Sequence, residues 1–421
     1  MRRNADFWRF WFGQTASNLG TSVTQFALPL LVYQLTGSAL NLGLTLVFGM
    51  LPNLLFGLFI GAWVDRVDRK RLMLRVDVLQ ALCVTSVPLL AAIGALQLWW
   101  IYLVVFCTGL LTILFQAAEF AAIPSLVSND DLVTANGRIQ ASYSAATIAG
   151  PLLAGMLAAF IPAYHLLWID VVSFLISATL LGQIRRSFNG EGQLRSTSIL
   201  ADVREGLHYV WAHPVLRNIS IMMCLVNFVG ATIYAQLVLF VTERYNASEA
   251  QVGLFFSAGS VGVVLTSLAA GRLHRRFGFS KVALGALMLS GLLITIMALT
   301  PIYWLGLLLW AFNMGLGILF NINTGSLRQA IVPSHLLGRI ISVAMVLAFS
   351  ATPLGALAGG WLIERTGDVA LVYAAIGVLS LLIPLVFVFT PLGRAEQYIR
   401  PETNNQLSVN QSSEDHAVLR T

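Results

Sequence analysis

Three carboxylates stand where carboxylates are rare. Asp77, Glu119 and Asp170 each fall within a long apolar run of a 421-residue chain that is 57% hydrophobic and only 10% charged. An acid surrounded by hydrocarbon is costly and is usually kept for a task, so each is a candidate to take a proton from one side of a barrier and release it on the other. Asp170 is the deepest of the three and the first choice; Glu119 and Asp77 lie nearer the ends of their runs. A second set is amide and phenol rather than acid. Gln14, Asn18 and Gln25 recur at spacings of four and seven, which puts them on one face of a helix. Gln116 lies in the fourth run, Asn227 and Tyr234 are seven apart in the seventh, and Asn313, Asn321 and Asn323 enrich the tenth. Amides in apolar surroundings need partners. Two uses are open to them: bonding neighbouring helices together, or lining a neutral cavity suited to a large amphiphilic molecule.

A third constellation is a knot of charge between the second and third runs, Gly61-Ala62-Trp63-Val64-Asp65-Arg66-Val67-Asp68-Arg69-Lys70-Arg71. A weaker echo, Gly271-Arg272-Leu273-His274-Arg275-Arg276-Phe277-Gly278, lies about half a chain later and has Arg275 where the first has an acid. No His-x-x-x-His, no Gly-x-Ser-x-Gly within a run and no phosphate-binding loop occurs, which argues against an enzyme. Cys83, Cys107 and Cys224 all lie inside apolar runs and read as small packing residues. No Cys/His spacing resembles a metal site, and neither a metal nor a cofactor is expected.

The elements that must hold these residues follow from the composition. A soluble protein carries roughly 25% charged residues; a soluble chain as poor in charge as this one would expose large apolar patches and aggregate. In a bilayer the same surface is in its preferred solvent, and about 20 apolar residues cross it as a helix. The chain reads as twelve such runs, near 8–35, 41–64, 72–94, 99–122, 134–160, 164–184, 217–242, 250–272, 281–300, 303–327, 338–363 and 369–391. The first is read as an uncleaved helix. With both termini in the cytoplasm, all of the 25 Lys and Arg except Arg244 and Arg365 fall on the cytoplasmic side. The net charge of +6 is therefore spent on topology, and nucleic acid is not an expected partner.

The halves echo each other. Gly61 corresponds to Gly271, Pro124-Ser125 to Pro333-Ser334, and Gly137-Arg138-Ile139 to Gly338-Arg339-Ile340, in the same order and at equivalent places. The chain divides into a six-helix half over 1–184, a polar linker over 185–216, a second six-helix half over 217–392, and a polar tail over 393–421 expected to be disordered. In the linker, Ile199, Leu200, Val203, Leu207, Val210 and Trp211 form an apolar stripe at helical spacing. It reads either as a helix on the membrane surface or as a linker helix touching the bundle. Two halves about an axis normal to the membrane place a substrate site at their interface, near mid-membrane.

The Gly61–Arg71 stretch resembles the loop motif of the major facilitator superfamily, G-x-x-x-D-R-x-x-R-[KR], with Gly61, Asp65, Arg66, Arg69 and Lys70 matching. Ala122–Val127, Ala135-Asn136, Gly150-Pro151 with Gly155, Ile169-Asp170 and Glu205–Leu207 resemble the subgroup of macrolide-efflux and siderophore-export proteins, the drug:proton antiporters. The resemblance spans the whole chain. It implies an all-α polytopic fold of twelve transmembrane helices in two six-helix halves, in a bacterial inner membrane and acting as a monomer. It implies export of an amphiphilic organic compound, drug-like or macrolide-like, by proton antiport with alternating access, with antibiotic resistance as the consequence; the alternative is a siderophore or secreted metabolite. It implies a latch in which Asp65 docks on the start of helix eleven near Arg339, with Arg69 reaching toward Glu119. Gly150, Pro151 and Gly155 resemble the antiporter motif of helix five, with Ala154 replacing one expected glycine. Helix four lacks the arginine that many antiporters of the superfamily carry there.

Overall fold

The computed structural model describes residues 4–64, 67–127, 131–186, 188, 199–332 and 337–398. The regular structure among them is helical. The first half comprises α1 (Ala5–Thr36), α2 (Ala39–Val64), α3 (Arg69–Ala92), α4 (Leu98–Leu126), α5 (Leu132–Ala158) and α6 (Leu167–Gln183), with a 3-10 turn, Ala163–Leu166, before α6. α7 (Ile199–Ala212) connects the halves. The second half comprises α8 (Pro214–Ala235) with α9 (Leu237–Tyr245), α10 (Glu249–Phe277), α11 (Phe279–Leu299), α12 (Tyr303–Ile331), α13 (Leu337–Phe349) with α14 (Thr352–Thr366), and α15 (Val369–Val388). A short 3-10 segment, Pro391–Tyr398, follows.

Eleven helical stretches among the described residues are long and apolar enough to cross a membrane. α1 is more polar, but its 32 residues extend about 48 Å at 1.5 Å each, and it completes twelve spans. The seventh span is broken at Gln236 into α8 and α9, and the eleventh at Ser350-Ala351 into α13 and α14. Pro353 sits in the first turn of α14, where its missing N–H is not needed.

Short polar residues set the helix ends. Asn4 accepts the Phe7 N–H at 3.0 Å to open α1 and ties it to α4 by donating to the Leu126 carbonyl at 2.6 Å. Gly37, at φ 61°, closes the same helix by donating to the Tyr33 carbonyl at 2.8 Å. Asp68 accepts the Arg71 N–H at 2.9 Å, so the second acid of the charged knot is the N-cap of α3.

With twelve spans between them, the first and last described residues, Asn4 and Tyr398, lie on one face, called here the terminal face; the other is the far face. Within the first half α1 packs on α5 and α6, and α3 on α4 and α6; within the second, α12 packs on α10 and α11, and α11 on α15. The halves meet through α5 on α10 and α2 on α14. α7 lies against α8 and α13, with Val210 fully buried between them.

Two features let α5 and α10 come together. An added Cβ on Gly155 would stand 2.8 Å from the Gly253 Cα and from the Glu249 carbonyl oxygen, so the two backbones touch. Pro151 has no N–H to offer the carbonyl of Thr147 one turn earlier. That carbonyl instead accepts the Ser260 hydroxyl at 2.9 Å, and the next, Ile148, accepts Ser257 at 2.7 Å.

Candidate functional site

A cavity of about 450 Å³ lies between the halves. Its walls are mainly apolar, with Leu28, Leu42, Leu46, Val84, Val105 and Phe174 among them. Its polar groups come mostly from the first half: Thr21, Thr24 and Gln25 of α1, Gln80 of α3, Thr112 and Gln116 of α4, and Asp170 of α6. The second half contributes Tyr234, Ala235, Val238 and Phe256. Tyr234 is enclosed deep in the protein, yet 53% of its surface is open, because it faces this space.

Asp170 is the acid at the cavity wall. It lies in the first turn of α6 and is 1% exposed. The chain makes a 3-10 turn before α6, so the carboxylate arrives beside the middle of α1. Thr24 donates to it at 2.5 Å, Ser173 at 3.1 Å and Thr21 at 3.4 Å. Gly20 makes the approach possible: an added Cβ would stand 2.7 Å from Asp170 Oδ1. Hydroxyl donors around a carboxylate favour its charged form, whereas burial disfavours it.

A smaller cavity of about 260 Å³ adjoins the first and shares Thr21, Gln25, Gln80, Thr112, Gln116 and Phe174 with it. Gln14, Asn18 and Glu119 line it, and neither Gln14 Nε2 nor Glu119 Oε1 has a hydrogen-bond partner. Asp77 is 1% exposed, sits beside Ser177 of α6, and has no hydrogen-bond partner on either oxygen. It feels the charges of Asp170 and Glu119, so the three acids share one interior.

The cavity candidates from the sequence thus divide. Gln14, Asn18, Gln25, Gln116 and Tyr234 line the two connected cavities. The asparagines of the second half lie elsewhere. Asn227 donates to the Ala348 carbonyl at 2.8 Å, joining α8 to α13. Asn313 accepts from Ser290 at 2.5 Å, joining α12 to α11. Asn323 donates to the Leu319 carbonyl at 2.8 Å within its own helix, and Asn321 is exposed outside both cavities. Thr21 was legible and overlooked: 14, 18, 21 and 25 form one helical stripe. Thr24, Ser173 and Phe256 carried no such signal, since each gains its role from a neighbouring helix.

Of the latch residues, Asp65 and Arg66 lie outside the described residues, as do the side-chain surroundings of Gly61 and Arg339. Arg69 donates to the Phe188 carbonyl at 3.2 Å, and Lys70 to the Ile184 carbonyl at 2.5 Å, so both bind the start of α3 to the chain that follows α6. In the helix-five motif, Gly150 meets Ser22 of α1, while Pro151 and Gly155 meet α10 as described. No group of three or more His, Cys, Asp and Glu able to hold a metal occurs among the described residues.

Twelve spans in two halves around a central cavity, with the buried Asp170 on its wall, define a polytopic membrane transporter. Residues 2–416 match the family described as "Transmembrane secretion effector", and the chain belongs to that family of major facilitator superfamily transporters. It is 30% identical over 397 residues to the multidrug efflux pump Tap of Mycolicibacterium fortuitum, covering 90% of this chain and 94% of that one. It is 24% identical over 366 residues to macrolide efflux protein A of Streptococcus pyogenes, covering 86% and 90%. Among solved structures, a bacterial homologue of the iron transporter ferroportin in its inward-facing state superposes with a TM-score of 0.68 at 17% identity, covering 91% of this chain and 98% of that one.

Proposed function

We propose that this protein is a secondary active exporter that moves an amphiphilic, drug-like organic compound outward in exchange for protons. The observation that carries the reading is the placement of Asp170 on the wall of a mostly apolar cavity between the halves. The space fits a drug-sized molecule. Its aromatic groups, Tyr234 and Phe256, and its amides, Gln25 and Gln116, offer stacking and hydrogen bonds without demanding one ligand shape. The efflux names of the relatives at 30% and 24% identity support export over import.

Asp170 is the coupling residue of this reading. It takes a proton when the cavity opens to the acidic outer side and loses it when the cavity opens to the cytoplasm. Thr24 and Ser173 donate hydrogen bonds to its carboxylate. Alternation of Lys and Arg along the chain supports a cytoplasmic terminal face. The close contacts of α5 with α10 and α2 with α14 on the far side support a cavity closed to the outside in this conformation. The loop latch of Asp65 on helix eleven belongs to the opposite, outward-open conformation.

The test uses bacteria stripped of their own efflux pumps. Cells producing the protein should accumulate several-fold less of at least one fluorescent amphiphile from a panel than cells with an empty vector. Collapse of the proton gradient should abolish the difference. Equal or greater accumulation across the panel overturns export.

A further inference from the structure

We propose that Glu364 is a gating residue of the transport cycle, one that holds the far face shut by docking on the first turn of α2. This rests on the alternating-access reading above. α2 and α14 run antiparallel, so the C-terminal end of α14 lies beside the N-terminal end of α2 on the far face. A helix N-terminus has unpaired N–H groups and a partial positive charge, and both favour a carboxylate. Glu364 provides one from the other half of the molecule. Its Oε1 accepts the Leu40 N–H at 3.2 Å and the Ser38 hydroxyl. Ser38 Oγ in turn accepts the Asn41 N–H at 3.2 Å, so a single relay caps α2 and joins the halves.

Two glycines bring the backbones near enough. An added Cβ on Gly360 would stand 2.8 Å from the Ala39 carbonyl oxygen, and one on Gly43 would stand 2.8 Å from that of Ala356. Beneath them Gln236, at the break between α8 and α9, donates to the carbonyls of both Ala39 and Ala356 at 3.2 Å.

The sequence sharpens the assignment. Gly360, Glu364 and Arg365 repeat the order and spacing of Gly61, Asp65 and Arg66. The internal duplication does not explain this, because it aligns Gly61 with Gly271 rather than with Gly360. The likeness is instead between the C-terminal ends of the two antiparallel spans that join the halves. In sequence, Gly-x-x-x-acid-Arg falls within the last turns of α14 and runs past Val64, the last described residue of α2. An acid that docks only while its own face is closed biases the cycle toward that state, and its neighbour Arg365 has no part in the docking.

Spin-label distances across the far face test this without substrate or gradient, so failure here is separable from failure of the export reading. Labels go on Leu35→Cys and Ile302→Cys, exposed residues of opposite halves, in a chain freed of Cys83, Cys107 and Cys224. Glu364 is exposed, so Glu364→Ala folds. That variant should raise the population at longer distance about fivefold, the effect of losing one charge-assisted cap between two states. Arg365→Ala should leave the distribution as it was. An unchanged distribution in Glu364→Ala overturns the assignment, as does an equal shift in Arg365→Ala.

Discussion

Replacing Asp170 by Asn keeps the size of the side chain while removing its charge and its ability to give up a proton. The structure sets the cost. Three hydroxyls reach the carboxylate: Thr24 at 2.5 Å, Ser173 at 3.1 Å and Thr21 at 3.4 Å. Asn retains one acceptor oxygen and turns the other position into a donor, which a rotated Thr24 hydroxyl can accept. One hydrogen bond is reorganised rather than lost, so stability should fall by about 1 kcal/mol or less. Transport should split. In proteoliposomes, exchange of labelled for unlabelled compound needs only the cavity and should persist in Asp170→Asn. Uphill accumulation needs the proton. Each pH unit is worth about 1.4 kcal/mol per proton, so one proton per cycle across two pH units supports about 100-fold accumulation. In Asp170→Asn the ratio should fall to about onefold by the same reckoning. A variant that still concentrates the compound like the wild type refutes Asp170 as the coupling residue. Loss of exchange together with accumulation, in folded protein, refutes the separation of coupling from binding.

Other consequences are simpler. Asp77 is buried with only Ser177 beside it and feels the charges of Asp170 and Glu119, so Asp77→Asn should raise the melting temperature by about 2 °C, the effect of about 1 kcal/mol; a fall would show that its charge has a use in the folded state. Gly155→Val must push α10 away, because the first added atom already stands 2.8 Å from backbone. It should cost about 1–3 kcal/mol in thermal or denaturant unfolding and abolish uphill transport. His213 caps α8 by accepting the Leu216 N–H on Nδ1, and burial pushes its imidazole pKa below the usual value. The neutral form is thus favoured on folding: the cap is present above about pH 6.5 and lost as the pH falls through the lowered value. Between pH 7.5 and pH 5 the wild type should lose more stability than His213→Asn, whose amide caps without titrating. Equal losses would remove His213 from the account.

Much of the fold was legible because lipid leaves few alternatives. A spanning segment must bond its own backbone, so run length and the alternation of Lys and Arg carry the number of spans. The two broken spans were less visible. Neither Gln236 nor Ser350-Ala351 interrupts the hydropathy, and each break is held by contacts from other helices. The site was half legible. The stripe Gln14, Asn18, Gln25 predicted a polar face of α1, and that face does line the cavities. The parallel reading of Asn227 and Asn313 had the same sequence basis, yet these amides bond helix to helix. A single sequence cannot separate the two uses, because the choice depends on which carbonyl or hydroxyl lies opposite. The role of Pro151 shows the same limit: its loss of an N–H is plain in the sequence, but the Ser260 hydroxyl that answers it comes from 109 residues further along the chain.

The central claim is that a proton gradient drives an amphiphile through the cavity bounded by Asp170. The most direct measurement is uptake of a fluorescent amphiphile into proteoliposomes holding the purified protein under an imposed pH difference, read together with lumenal pH. Accumulation should rise about tenfold for each pH unit, move with a matching proton flux, and vanish when an ionophore collapses the gradient. Uptake that ignores the gradient, with no proton movement, would contradict the account.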